Sequence, residues 1–101
     1  MLALMEKIKE IQERGVYVGD GMEFAARIER VGLPMPHVGF GTKRMLSIEW
    51  CNVDGRELYI MFRPGCNDIM LQVDEKNNIE NEVVGVSLSE LVEKARWLAS
   101  A

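Results

Sequence analysis

The residues that could do chemistry are concentrated in the segment W-C-N-V-D-G-R-E-L-Y, residues 50–59. Asn52, Asp54 and Gly55 have the spacing of part of a calcium-binding loop, in which alternate oxygen-bearing side chains precede a glycine. The further spaced acids and the terminal bidentate glutamate of such a loop do not follow. The segment therefore does not predict a calcium site.

Two cysteines, Cys51 and Cys66, and the single histidine, His37, are the other candidates for nucleophilic or metal chemistry. The thiols could form one disulfide, but the sequence favours free thiols in a reducing cytoplasm. A zinc site needs more ligands than one histidine and two cysteines at unrelated spacings provide. A Cys-His pair would require His37 beside a thiol, and nothing in the spacing imposes that. We therefore expect no catalytic group, no metal and no cofactor, and hence no enzyme.

The bulk composition is typical of one globular domain over residues 1–101. The hydrophobic fraction is 48%, the charged fraction 28% and the net charge −4. Residues 1–44 hold seven basic and six acidic residues, whereas residues 45–101 hold five and ten. Without a basic stripe, direct binding of nucleic acid is not expected, and the acidic half suits a basic partner. The chain start shows no signal peptide and no membrane span, which predicts a cytoplasmic protein.

Three segments have the apolar periodicity of amphipathic helices: residues 2–14, 21–31 and 88–98. Ser87 and Glu90 have the spacing of a capping box, which predicts the start of the third helix. Asp20 and Glu23 have the same spacing before the second helix. Trp97 lies off the main apolar stripe of the third helix, where it either packs against the first helix or is an exposed anchor.

Between the second and third helices the apolar period changes to two, which predicts antiparallel strands. Three runs show this alternation: residues 46–51, 58–63 and 69–74. A polar turn is expected over 74–80, a fourth strand over 82–86, and a short edge strand over 37–40. The predicted fold is α+β in the order α-α-β-β-β-(β)-α, with an antiparallel sheet and the helices packed on one face.

The turn between the first two runs decides which side chains share a face of the sheet. A two-residue turn at 54–55 would pair Trp50 with Tyr59 and divide the apolar rows between two faces. A three-residue loop at 53–55, with a left-handed glycine at a bulge, would pair Trp50 with Leu58 and keep the rows together. We predict the three-residue loop because it gives one coherent core.

This register leaves a second face of the sheet with mixed character. Its candidate partner-binding residues are an apolar patch with polar neighbours: Met45, Glu49, Tyr59, Met61, Arg63 and Met70. Methionine-rich faces that include an aromatic residue suit adaptable protein binding. The alternative is that solvent or the connection over residues 33–44 covers this face.

The segments G-L-P-M-P, L-S-I-E-W and E-L-Y-I, joined by a glycine-rich linker and a D-G turn, resemble small uncharacterised bacterial and phage-type proteins. The resemblance covers residues 32–63 and consists of a proline-rich lead and a hairpin with an apolar-x-Glu-Trp strand. It implies a prokaryotic or mobile-element origin, and no activity comes with it.

We therefore expect a small non-enzymatic prokaryotic or phage protein that binds another protein, with self-association through the second sheet face as one form of that binding. Two alternatives stay open. An anti-defence inhibitor from a mobile element would use the acidic half against a basic nucleic-acid channel. A small enzyme or ligand-binding domain would use Glu49, Tyr59 and Arg63 together with His37.

Overall fold

The computed structural model describes residues 2–101, except for the side chain of Leu2. The described elements follow in this order: α1 Leu2–Glu13, α2 Gly21–Arg27, β1 His37–Phe40, β2 Leu46–Val53, β3 Arg56–Met61, β4 Ile69–Asp74, β5 Ile79–Val84 and α3 Leu88–Ala99. The strands form one antiparallel sheet in the order β1-β2-β3-β4-β5, so each strand pairs with its neighbour in sequence. The α+β class, the antiparallel sheet and the expected edge strand β1 are confirmed.

One face of the sheet is buried by helix side chains in a single core cluster. Its fully buried members include Leu46, Ile48, Leu58, Ile60, Phe62, Leu4, Ile8, Phe24, Ile28, Leu91 and Leu98. The ring of Phe24 lies edge-on to Trp50, with centroids 6.3 Å apart, and 6.0 Å from Phe62. The indole Nε1 of Trp50 donates to the Pro34 carbonyl at 2.7 Å, which ties the proline-rich connection to the core.

The β2–β3 hairpin has the predicted register but not the predicted loop. Trp50 pairs with Leu58, so the apolar rows of the two strands share one face. The turn, however, contains two residues, because Val53 pairs with Arg56 across positions 54–55. Both turn residues have positive φ, 51° and 85°, which is the geometry of the tight turns that match strand twist.

A bulge in β2 supplies the extra residue that the predicted loop was expected to hold. Near the end of β2, Cys51 and Asn52 oppose Glu57 alone on β3. Asn52 has a left-handed φ of 52°, which asparagine tolerates better than most residues, and its Oδ1 accepts from the Gly55 amide at 3.1 Å. The two-residue turn and the bulge together place the apolar rows of β2 and β3 on the same face of the sheet.

The helices and the last strand differ from their predicted limits. The capping box of Ser87 and Glu90 is confirmed at α3. Asp20 makes no side-chain capping bond, and α2 ends at Arg27 rather than at residue 31. The turn between β4 and β5 is shorter than predicted, so β5 begins at residue 79 instead of 82.

Trp97 packs against the sheet rather than against α1. The guanidinium of Arg56, at the start of β3, lies over the Trp97 ring at 4.6 Å and donates to the Trp97 carbonyl. Arg56 also donates to Ser100 Oγ at 3.0 Å. One arginine therefore fastens the end of α3 to β3 through both stacking and hydrogen bonds.

Candidate partner-binding face

The second face of the sheet lies opposite the helix-covered core. Its outward positions alternate with the buried ones along each strand, and we call this set the outer face: His37, Gly39, Met45, Ser47, Glu49, Cys51, Glu57, Tyr59, Met61, Arg63, Ile69, Leu71, Val73, Glu80, Glu82 and Val84. None of its apolar side chains belongs to the core cluster or packs against it. The helices therefore bury one face of the sheet only.

The middle of the outer face is apolar. Tyr59 pairs with Leu71 and Met61 with Ile69 across β3 and β4, and Val73 continues the row. These side chains are half-buried because neighbours on adjacent strands shield one another, although no helix lies over them. A contiguous apolar surface of this kind, rimmed by polar groups, is typical of interaction sites.

Met70 does not belong to this face, so its prediction as a partner-binding residue is wrong. It pairs with Ile60 and is 1% exposed, on the helix side of the sheet. The alternation of apolar and polar residues in β4 predicts that Ile69, Leu71 and Val73 are buried, whereas in the structure they point outward. The other inward residues of β4, Gln72 and Asp74, are polar, and hydrogen bonds from Asn77 and Arg56 offset the burial of Asp74.

The buried carboxylate of Asp74 is hydrogen-bonded by two side chains. Its carboxylate receives hydrogen bonds from Asn77 Nδ2 at 2.8 Å and from Arg56 Nε at 3.3 Å. The hydrogen bonds from Asn77 and the charge of Arg56 lower the pKa of Asp74 despite its burial. Among residues 2–101, no buried side-chain nitrogen or oxygen lacks a hydrogen-bond partner.

Asp68 fixes the opposite end of β4. Its Oδ1 accepts from the Arg63 amide at 2.8 Å, and its own carbonyl accepts from the Gly85 amide at 2.8 Å. Burial raises the pKa of Asp68, while the hydrogen bond from Arg63 acts in the opposite direction. The carboxylate therefore holds the β3–β4 connection, while the backbone carbonyl of the same residue holds the end of β5.

Charge is distributed unevenly over the outer face. Four carboxylates lie around the apolar centre, and none of them forms an ion pair within residues 2–101: Glu49, Glu57, Glu80 and Glu82. The cations lie at the opposite end of β3, where Arg63 and Lys43 line one pocket. The face is thus acidic at one end and basic at the other.

The pocket at the basic end has a volume of about 530 Å³ and contains three of the predicted partner-binding residues. Met45, Met61 and Arg63 line it together with the loop over residues 41–43 and Pro64. Methionine side chains adapt to the shape of a partner, and two cations suit a carboxylate or another small anion. Lys43 was not among the predicted partner-binding residues, because the sequence did not show which face its loop would join.

The groups considered for catalysis are brought only partly together. His37 pairs with Glu49, and Glu49 with Tyr59, so these three form one row across β1, β2 and β3. Arg63 lies in the pocket at the basic end, and none of the three lines that pocket. Within residues 2–101, the row of His37, Glu49 and Tyr59 therefore lies apart from the pocket that contains Arg63.

The cysteines are free, exposed and apart from any ligand cluster. Desolvation and, to a smaller extent, the carboxylates of Glu49 and Glu57 raise the pKa of the Cys51 thiol. The fraction present as nucleophilic thiolate at neutral pH is therefore lower. Over residues 2–101, no group of three or more His, Cys, Asp or Glu side chains is arranged to hold a metal ion.

Comparison of the chain with known protein families, with curated proteins and with solved structures gives no match. Among the helices of residues 2–101, none combines the length and the apolar character needed to cross a membrane.

Proposed function

We propose that this chain is a non-enzymatic prokaryotic or phage interaction protein that binds a protein partner through the outer face. The observation that supports this most directly is the uncovered apolar centre around Tyr59, Met61 and Leu71, which lies outside the core cluster. An antiparallel sheet with one solvated face usually carries polar residues on that face. Here five apolar side chains stand where that rule expects polar ones.

The charged residues around the apolar centre of the outer face support a protein partner rather than a small substrate. A flat apolar centre flanked by charged residues resembles the arrangement of protein interfaces, where an apolar core is surrounded by a polar rim. The row of His37, Glu49 and Tyr59 offers polar contacts at the side of this centre. The pocket beside Arg63 could receive one projecting side chain of the partner.

The test uses a photo-crosslinking amino acid at Leu71 in the full chain, in the cells that naturally carry the gene. The matched control places it at Glu93, an exposed residue of α3. We expect a defined protein adduct, to a partner or to another copy, from Leu71 and none from Glu93. Excess unmodified protein should suppress the adduct, whereas the Met61→Glu variant should not. Equal adducts from both positions, or none from Leu71, would overturn the proposal.

A further inference from the structure

We propose that one occupant of the outer face is a second copy of this chain, in a twofold dimer with the two sheets stacked face to face. This inference rests on the proposed function and specifies a partner for the same surface. A second copy is favoured over an unrelated protein because Glu57 and Arg63, on either side of Ile60, become complementary when the outer face meets another copy of itself.

The outward side chains of β3 and the residues that follow it are arranged symmetrically about Ile60. Glu57 and Tyr59 precede it, and Met61 and Arg63 follow at the same distances along the chain. A twofold axis that crosses the strands above Ile60 brings Glu57 of each copy opposite Arg63 of the other. It also brings Tyr59 opposite Met61. Because an interface of this symmetry contains every contact twice, the dimer gains two ion pairs and two methionine–aromatic contacts.

The neighbouring strand β4 is compatible with the same axis. Ile60 pairs with Met70 on β4, so the axis also brings Ile69 of one copy opposite Leu71 of the other. Stacked sheets pack about 10 Å apart, with strand directions within roughly 30° of each other, a spacing that lets such apolar side chains interdigitate. The apolar centres of the two copies therefore cover one another.

Two other arrangements oppose like charges. A twofold axis parallel to β3 would bring Glu57 opposite itself and Arg63 opposite itself. Pairing of two β5 edges would bring together acidic strands that carry Glu80 and Glu82. Charged edge strands resist such pairing. The axis above Ile60 is therefore the arrangement that the charges favour.

The size of the face indicates a dimer that dissociates on dilution. Five strands at about 4.8 Å, by seven residues at about 3.3 Å, give a footprint on the order of 500 Å² per copy. Two copies then bury on the order of 1,000 Å², which is below the roughly 1,200–2,000 Å² of stable interfaces and in the range of transient ones. We therefore expect a concentration-dependent equilibrium between monomer and dimer.

Charge reversal tests this arrangement by sedimentation equilibrium of the full chain over a concentration series. Arg63→Glu and Glu57→Arg should each weaken dimerisation by at least about tenfold, because each reversal acts at two sites in the dimer. The double variant restores opposite charges and should return to within about threefold of the wild type. Arg30→Glu and Glu93→Arg, on exposed residues of the helical side, should change nothing.

A chain that stays monomeric at every concentration would overturn the dimer, as would a double variant weaker than either single variant. Circular dichroism shows whether each variant is folded. If a single variant unfolds, the wild type provides a second measurement. Its dimer should weaken when salt rises from about 0.05 M to about 0.5 M, because salt screens exposed ion pairs, and an unchanged equilibrium would contradict the proposal. A monomer that still crosslinks from Leu71 to a different protein would overturn this inference alone and leave the proposed function standing.

Discussion

Replacing Gly55 by alanine tests the turn between β2 and β3, which helps to set which side chains of the two strands share a face of the sheet. Gly55 has φ of 85°, and a left-handed backbone costs an L-residue roughly 1–2 kcal/mol. An added Cβ would meet Lys76 Cε at 3.4 Å, at the end of a long and mostly exposed side chain that can move. Alanine also restricts the unfolded chain, which offsets about 0.5 kcal/mol. We therefore expect a net loss of about 1 kcal/mol in the free energy of unfolding.

The matched control is Gly41→Ala, because Gly41 does not have positive φ and an added Cβ would meet nothing within 4 Å. Urea unfolding followed by tryptophan fluorescence, to which the buried Trp50 contributes, measures both variants at one low protein concentration. Gly41→Ala should leave the midpoint unchanged or raise it slightly. Gly55→Asn should recover most of the loss, since asparagine tolerates this conformation. Equal midpoints for Gly55→Ala and Gly41→Ala would refute the assigned turn.

Two further predictions concern stability. Ser87→Ala should lower the free energy of unfolding by about 1 kcal/mol, because it removes the cap on the Glu90 amide. Ser89→Ala, at an exposed position inside α3, should have no destabilising effect in the same thermal unfolding assay. The lowered pKa of Asp74 means that its contribution is complete above the unfolded-state value of about 3.9. That contribution is lost as pH falls below this value and through the lower folded-state pKa. In the Asp74→Asn variant, the free energy of unfolding should therefore fall less steeply as the pH is lowered into the acid range. The same pH dependence in the variant and the wild type would contradict this reasoning.

The register of the β2–β3 hairpin could be predicted because only one pairing brings the apolar rows of β2 and β3 together. Its details could not, since a two-residue turn with a bulge at Asn52 and a three-residue loop give the same pairing of Trp50 with Leu58. Asn52 accepts from Gly55 within the hairpin itself. The signal for the bulge was therefore local, in the asparagine two residues before the turn.

The facing of β4 was not predictable from its own residues. By hydrophobicity, Ile69, Leu71 and Val73 belong inside, whereas the structure buries the alternate row that ends at Asp74. The partners that allow this include Arg56, which is 18 residues away in sequence. Met70 was assigned to the wrong face for this reason, while Tyr59 and Met61 follow from the β2–β3 register and lie where they were predicted.

Of the two capping boxes that the sequence spacing indicates, only the one at α3 forms. Ser87 has the extended backbone, φ −79° and ψ 160°, from which its side chain reaches the Glu90 amide at 3.2 Å. Asp20 has φ −82° and ψ 11°, and Glu23 pairs with Arg27 instead. The sequence spacing is identical in both cases. The backbone that leads into the helix decides whether the cap forms.

An intermolecular nuclear Overhauser experiment tests the role of the outer face most directly. In a sample that mixes copies labelled at the methionine methyl groups with unlabelled copies, contacts between copies are observed separately from those within a copy. At concentrations where sedimentation shows dimer, we expect a contact from the Met61 methyl group to the Tyr59 ring of the other copy, and none from the buried Met70. Contacts between copies that involve only helix residues such as Met22, or a sample with no contact between copies, would contradict it.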